Sequence, residues 1–127
     1  MTALRVLVVE DDAMIGMLMA EMLEEMGYDV CAIEATEADA VASARRCEPD
    51  LMIVDARLGD GSGIAAVEEI LRRGFVPHLY VSGDISHVKA LKPDAAMIQK
   101  PFREPGLALA IQNALGSWRR PCLEIGA

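Results

Sequence analysis

LMIVDARLGDGSG (residues 51–63) is the stretch on which the reading of the fold turns. Its first four residues, Leu51 to Val54, are an uninterrupted apolar run, the pattern of a strand covered on both faces. An acid, Asp55, closes that run, and Arg57 to Gly63 is a loop rich in Gly and Asp. Ser62 or Gly63 then starts a helix that runs to about Arg73, where Gly74 stops it.

The same alternation extends in both directions. Upstream, Leu4 to Val9 (LRVLVV) is a second nearly continuous apolar strand, followed by a helix from Asp12 to Met26 with Asp12 as its N-cap. In that helix Ile15, Leu18, Met19, Met22, Leu23 and Met26 form one expected buried stripe, with Glu21, Glu24 and Glu25 opposite. Asp29 to Ile33 reads as a strand and Thr36 to Arg46 as a helix capped by Thr36. Downstream, His78 to Val81 and Ala95 to Ile98 read as strands. Asp84 to Leu91 is a short helix broken by Pro93, and Glu104 to Leu115 is the last helix. Five strands alternating with five helices imply right-handed crossovers and a doubly wound parallel sheet. The expected organisation is one domain over residues 1–116 and a C-terminal tail over 117–127, too short for an effector domain.

Composition narrows the functional classes. A chain of 127 residues supports one core. It is 53% hydrophobic and 25% charged, as globular proteins are, and its net charge of −8 argues against nucleic acid as a partner. The pairs Arg45-Arg46, Arg72-Arg73 and Arg119-Arg120 read as solvated helix ends. No apolar run approaches the roughly 20 residues that span a bilayer, and Met1 to Val9 has no secretory pattern. Cys31, Cys47 and Cys122 are widely spaced, which fits reduced thiols in a cytoplasm. His78 and His87 lack partners at catalytic spacing and read as structural or exposed.

In doubly wound sheets ligands bind beyond the carboxyl ends of the strands. Glu10, Asp11 and Asp12 follow the first strand, Asp55 the third, Ser82 the fourth and Lys100 the fifth. Three converging carboxylates, Glu10, Asp11 and Asp55, repel one another unless a divalent cation neutralises them, and an all-oxygen site suits Mg²⁺. An aspartate can act as nucleophile towards a phosphoryl group. The equatorial oxygens of that group need neutralising, a task for Mg²⁺, the Lys100 ammonium and the Ser82 hydroxyl.

With these residues in place the chain resembles the receiver domains of response regulators in two-component signalling, from about Leu4 to Leu115. The segments that carry the resemblance are VLVVEDD (6–12), LMIVDARLGDGSG (51–63), LYVSGD (79–84) and QKPF (99–102). The resemblance implies a flavodoxin-like (βα)5 fold and a cis Lys100–Pro101 peptide. It makes Asp55 the phosphoacceptor and Asp11 a metal ligand, with Glu10 acting through water. The Arg57 carbonyl would complete the Mg²⁺ shell, and Ser82 and Lys100 would contact the phosphoryl group. A histidine kinase or histidine phosphotransfer protein would be the donor and a downstream protein the target. The chain would act as a signalling phosphoacceptor with slow self-dephosphorylation, not as an enzyme, and as a monomer or weak dimer.

Some features depart from the family. Met97 stands where receivers commonly carry an aromatic residue, and the segment from Ser82 to Lys100 leaves room only for a short or irregular fourth helix. Arg57 and Asp84 flank the pocket mouth, where an expected bridge between them would restrict hydrolytic water and two independently solvated charges are the alternative. Met14 and Met17 lie off the buried stripe, at a docking patch or partly buried against the last helix. The alternatives are a receiver-like module that binds without phosphorylation, and an aspartate-dependent phosphohydrolase. The latter needs a general acid and a cap that the sequence does not supply.

Overall fold

The structure, a computed structural model, describes the backbone of residues 3–126 and the side chains of residues 3–116. Five parallel strands form the central sheet: β1 (Arg5–Val9), β2 (Asp29–Glu34), β3 (Leu51–Asp55), β6 (His78–Ser82) and β7 (Ala96–Gln99). Two further strands, β4 (Arg57–Leu58) and β5 (Gly61–Ser62), pair as a small antiparallel hairpin within the expected loop after Asp55. The helices are α1 (Ala13–Glu25), α2 (Glu37–Cys47), α3 (Gly63–Leu71), α4 (Ile85–Leu91) and α5 (Glu104–Gly126).

The sheet order is β2-β1-β3-β6-β7. The chain leaves β1 towards β2 and returns to β3 on the other side, so the topological switch point is the crevice between β1 and β3. The apolar runs are covered on both faces, as their continuity requires. Val6, Val8, Leu51, Ile53, Leu79 and Val81 pack under Met19 and Leu23 of α1 and Leu107, Ala110, Ile111 and Ala114 of α5. Their neighbours Leu7, Val9, Met52, Val54 and Tyr80 point the other way, onto α2, α3 and α4.

Asp12 and Thr36 cap α1 and α2 as expected: Asp12 accepts from Met14 and Ile15 N–H, and Thr36 from Asp39 N–H. Positive φ at Gly27 (97°) and Gly74 (139°) marks the chain reversals after α1 and α3. The Lys100–Pro101 peptide is cis. Helix α4 is short, with Val88 its one buried residue, and Lys92 at its end bonds Glu68 of α3 at 2.8 Å.

Three expectations need correcting. Leu18 is 56% exposed and not part of the buried stripe. The buried line of α1 runs through Gly16, Met19 and Leu23, because a Cβ at Gly16 would already lie 3.0 Å from Ile33 of β2. Leu18, one residue from Met19, is turned roughly 100° off that line. Met14 and Met17 are likewise exposed, at 72% and 62%, and are not half-buried against α5. Helix α5 continues to Gly126, past the Leu115 end that the sequence pattern gives it. The expectations for Arg119, Arg120 and Cys122 fall outside the described side chains. Among the described residues no helix is long and apolar enough to cross a membrane.

Candidate functional site

Strand ends and the turns that follow them build the site. The buried run of β1 delivers Glu10, which is only 3% exposed, at the edge of the switch-point crevice. The chain then turns into α1, leaving Asp11 exposed beside it. Glu10 Oε2 accepts from the Asp12 N–H at 3.1 Å, so its orientation is tied to the start of the helix. On the other side of the crevice β3 ends in Asp55, 8% exposed, whose Oδ1 accepts from the Arg57 N–H at 3.1 Å. Carboxylate oxygens of Glu10, Asp11 and Asp55 all lie within 4.8 Å of one another.

Lys100, at the end of β7, reaches into this acidic group. Its Nζ is 2.8 Å from Asp55 Oδ2 and 3.1 Å from Glu10 Oε1. Burial pushes the Glu10 carboxyl above its ordinary value, against the pull of the Asp12 N–H and of Lys100. Burial also works against the charge on Lys100. Its hydrogen bonds to Asp55 and Glu10 outweigh that effect, and the ammonium is held above its ordinary value. One cation thus faces three carboxylates. The donor set is entirely hard oxygen, so these residues fit a small divalent cation.

The pocket around them is an open cavity of about 480 Å³ lined by Asp11, Asp55, Arg57, Gly59, Ser82, Gly83, Asp84 and Lys100. Every site residue expected from the sequence is therefore at or beside one crevice. Two local arrangements add to that placement. The Ser82 hydroxyl is held in a turn, donating to the Asp84 carbonyl and accepting from the Asp84 N–H, both at 3.1 Å. Among the described residues Arg57 and Asp84 form no ion pair, so the expected bridge across the mouth is not there. The Asp84 carboxylate is instead engaged in capping α4, where it accepts from the Ser86 N–H at 3.0 Å.

Sequence reasoning missed the glycines that shape the pocket floor. A Cβ at Gly63 would fall 1.9 Å from the Asp55 carbonyl oxygen, so α3 can start against β3 only without a side chain there. Gly59 turns the hairpin with a φ of 53° beside the Asp11 carboxylate. The only signal for either was the glycine content of the loop, which does not say which glycine is in contact. His78 is half-buried, 2.8 Å from the Val76 carbonyl through Nδ1, and His87 is exposed; neither touches the site.

Comparisons with known proteins agree with this geometry. The family model described as "Response regulator receiver domain" matches residues 6–112. The transcriptional regulatory protein PdtaR of Mycobacterium tuberculosis is 34% identical over 119 residues, covering 91% of this chain and 58% of PdtaR. The phyllosphere-induced regulator PhyR of Methylorubrum extorquens is 30% identical over 117 residues, covering 89% of this chain and 44% of PhyR. The chain thus spans about half the length of these relatives. The solution structure of the receiver domain of PhyR from Erythrobacter litoralis superimposes with a TM-score of 0.80 at 30% identity, covering 89% of this chain and 90% of that one.

Proposed function

The chain belongs to the response-regulator receiver family, and on that premise we propose that Asp55 accepts a phosphoryl group from the phosphohistidine of a histidine kinase or histidine phosphotransfer protein, with Mg²⁺ required. The observation that carries this reading is the Lys100 ammonium 2.8 Å from the Asp55 carboxylate, in a pocket walled by two further acids. An Asp55 carboxylate oxygen attacks the phosphorus. As that O–P bond forms, the bond from phosphorus to the donor imidazole nitrogen breaks, and its electron pair leaves with the nitrogen.

Asp11, Asp55 and the Arg57 carbonyl would hold Mg²⁺, with Glu10 behind them, and the ion would supply positive charge to one oxygen of the phosphoryl group. Lys100 passes from the Asp55 carboxylate to a second oxygen. Ser82 reaches the third by rotating its hydroxyl away from the Asp84 backbone. Receiver domains are in general signalling phosphoacceptors rather than enzymes, and we read this pocket in the same way. We assign the exposed Met14, Met17 and Leu18, at the start of α1 beside the pocket, to docking of the protein donor. Output then runs through a downstream protein, in the cytoplasm.

The test uses acetyl phosphate as a small donor. The wild-type protein should become labelled in the presence of Mg²⁺ and not in the presence of a chelator, and Asp55→Asn should take up no label. Equal labelling of Asp55→Asn refutes the assignment.

A further inference from the structure

We propose that Glu37 is a positioning residue of the acceptor site, clamping the Arg57–Ser62 hairpin where its backbone can serve the metal ion. The inference rests on the reading of Asp55 and its acidic neighbours given above. Glu37 is the first residue of α2, directly after the N-cap Thr36, and an acid there is ordinarily accounted for by the positive end of the helix. Its carboxylate nevertheless reaches away from its own helix. Oε2 accepts from the Ser62 N–H, 25 residues further on, at 2.7 Å, a short charge-assisted bond in a half-buried setting.

The hairpin is built around that contact. An ideal Cβ on Gly61 would lie 2.6 Å from Glu37 Oε2 and 3.2 Å from its Cγ, so a methyl group there would have to push the flexible end of Glu37 away from the loop. Beyond the contact, the Ser62 hydroxyl caps α3 by accepting from the Ala65 N–H, and Gly63 sits against the Asp55 carbonyl. Before it, the Arg57 N–H bonds Asp55 Oδ1 and Gly59 turns beside Asp11. The first arm of the hairpin therefore bonds Asp55, its turn lies beside Asp11, and its second arm is held by Glu37. The hairpin itself has two residues per strand, pairing Arg57 with Ser62 and Leu58 with Gly61. So short a ribbon does not hold its shape alone. Glu37 anchors the second arm from outside, as Asp55 anchors the first, and through the Arg57–Ser62 pair it helps fix where the Arg57 carbonyl points.

A purely helix-stabilising Glu37 predicts something different, and Mg²⁺ affinity separates the two. Magnesium chloride is titrated by calorimetry into the unphosphorylated protein, with thermal melting and amide exchange at Ser62 measured alongside. Glu37→Ala should weaken Mg²⁺ binding about tenfold, at the low end of what loss of an outer-shell partner costs. It should also speed exchange of the Ser62 amide. Glu37→Gln, which keeps an acceptor oxygen, should restore affinity to within about threefold of the wild type. Gly61→Ala, which pushes the carboxylate aside without altering it, should match Glu37→Ala and add nothing to it in the double variant. If Glu37→Ala does not fold, Gly61→Ala carries the same measurement.

Wild-type Mg²⁺ affinity in Glu37→Ala overturns the proposal, whether or not that variant melts earlier. So does a Gly61→Ala effect that is undiminished in the Glu37→Ala background. A wild-type protein that binds no Mg²⁺ overturns the reading of the site as well, which keeps the two failures distinct.

Discussion

Adding a single methyl group at Gly63 should damage the fold and the acceptor site together. The new Cβ would stand 1.9 Å from the Asp55 carbonyl oxygen, 2.6 Å from Val54 Cγ1 and 2.9 Å from the Asp55 carbonyl carbon. Real Cβ atoms essentially never approach within 3.0 Å, so the two segments must separate by roughly 1 Å. Neither side yields easily. Asp55 ends a fully buried strand whose continuation is fixed by the Ala56 N–H bond to the Val81 carbonyl at 2.9 Å. Gly63 opens α3, and its own N–H donates to the Ala56 carbonyl at 3.0 Å.

Overpacking of this kind costs about 1–3 kcal/mol, and a clash with backbone on both sides belongs at the upper end. Loss of the Gly63 hydrogen bond adds about 1 kcal/mol. Gly63→Ala should therefore destabilise by about 4 kcal/mol, a fall in Tm of roughly 12–20 °C for a chain of this length. Because the displaced residue is Asp55 itself, a shift near 1 Å should slow its labelling by acetyl phosphate about 100-fold. Thermal melting and initial labelling rates, taken below the variant's Tm, check both parts. A variant that melts with the wild type and labels at its rate would falsify the claim that helix start and strand end are locked together.

Two further outcomes follow from other parts of the molecule. Burial holds the His78 imidazole below its ordinary value of 6.5, against its Nδ1–H bond to the Val76 carbonyl, and the Lys92 charge pushes the same way as burial. The unfolded chain then binds its proton first as the pH falls, so His78 contributes full stability above about pH 6.5 and loses it as the pH drops towards the folded value. His78→Phe should make the decline in Tm between about pH 7 and pH 5 shallower, and identical slopes in the two proteins would refute this. Leu18→Glu replaces a side chain that is 56% exposed, so stability should stay within about 0.5 kcal/mol of the wild type. Labelling by acetyl phosphate should be unchanged while transfer from a phosphorylated histidine phosphotransfer protein falls; equal loss with both donors would remove α1 from the docking surface.

What the sequence displays and what it hides divide along a physical line. The runs at 6–9, 51–54 and 79–81 are legible because a strand buried on both faces has no room for alternation, and each run closes on the residue that enters the pocket. Glu10, Asp55 and Ser82 are therefore marked twice, by chemistry and by position. Glu37 is marked by neither. An acid in the first turn of a helix is commonplace, and its contact with Ser62 joins segments 25 residues apart that share no pattern. The hairpin at 57–62 is too short to show period two. Leu18 satisfies helical spacing as well as Met19 does. It is the closeness of Gly16 to Ile33, a tertiary contact, that narrows the buried face and leaves Leu18 outside.

The charge arrangement explains why Lys100 is needed before any reaction occurs. Burying a carboxylate costs several kcal/mol unless it is paired and hydrogen-bonded. Glu10 and Asp55, both nearly inaccessible, share the one ammonium, and each uses its second oxygen for a backbone N–H. That pairing allows two acids to be packed at the switch point of the sheet. It leaves the exposed Asp11 carboxylate beside a group whose charge is still negative, since one cation does not balance three acids. The remaining excess is what a divalent ion would neutralise, and it lies on the open side of the pocket, where a phosphoryl donor can arrive. The residue that makes the buried acids tolerable is also the one poised 2.8 Å from the carboxylate that would be modified, so structural and chemical demands on Lys100 coincide in a single side chain.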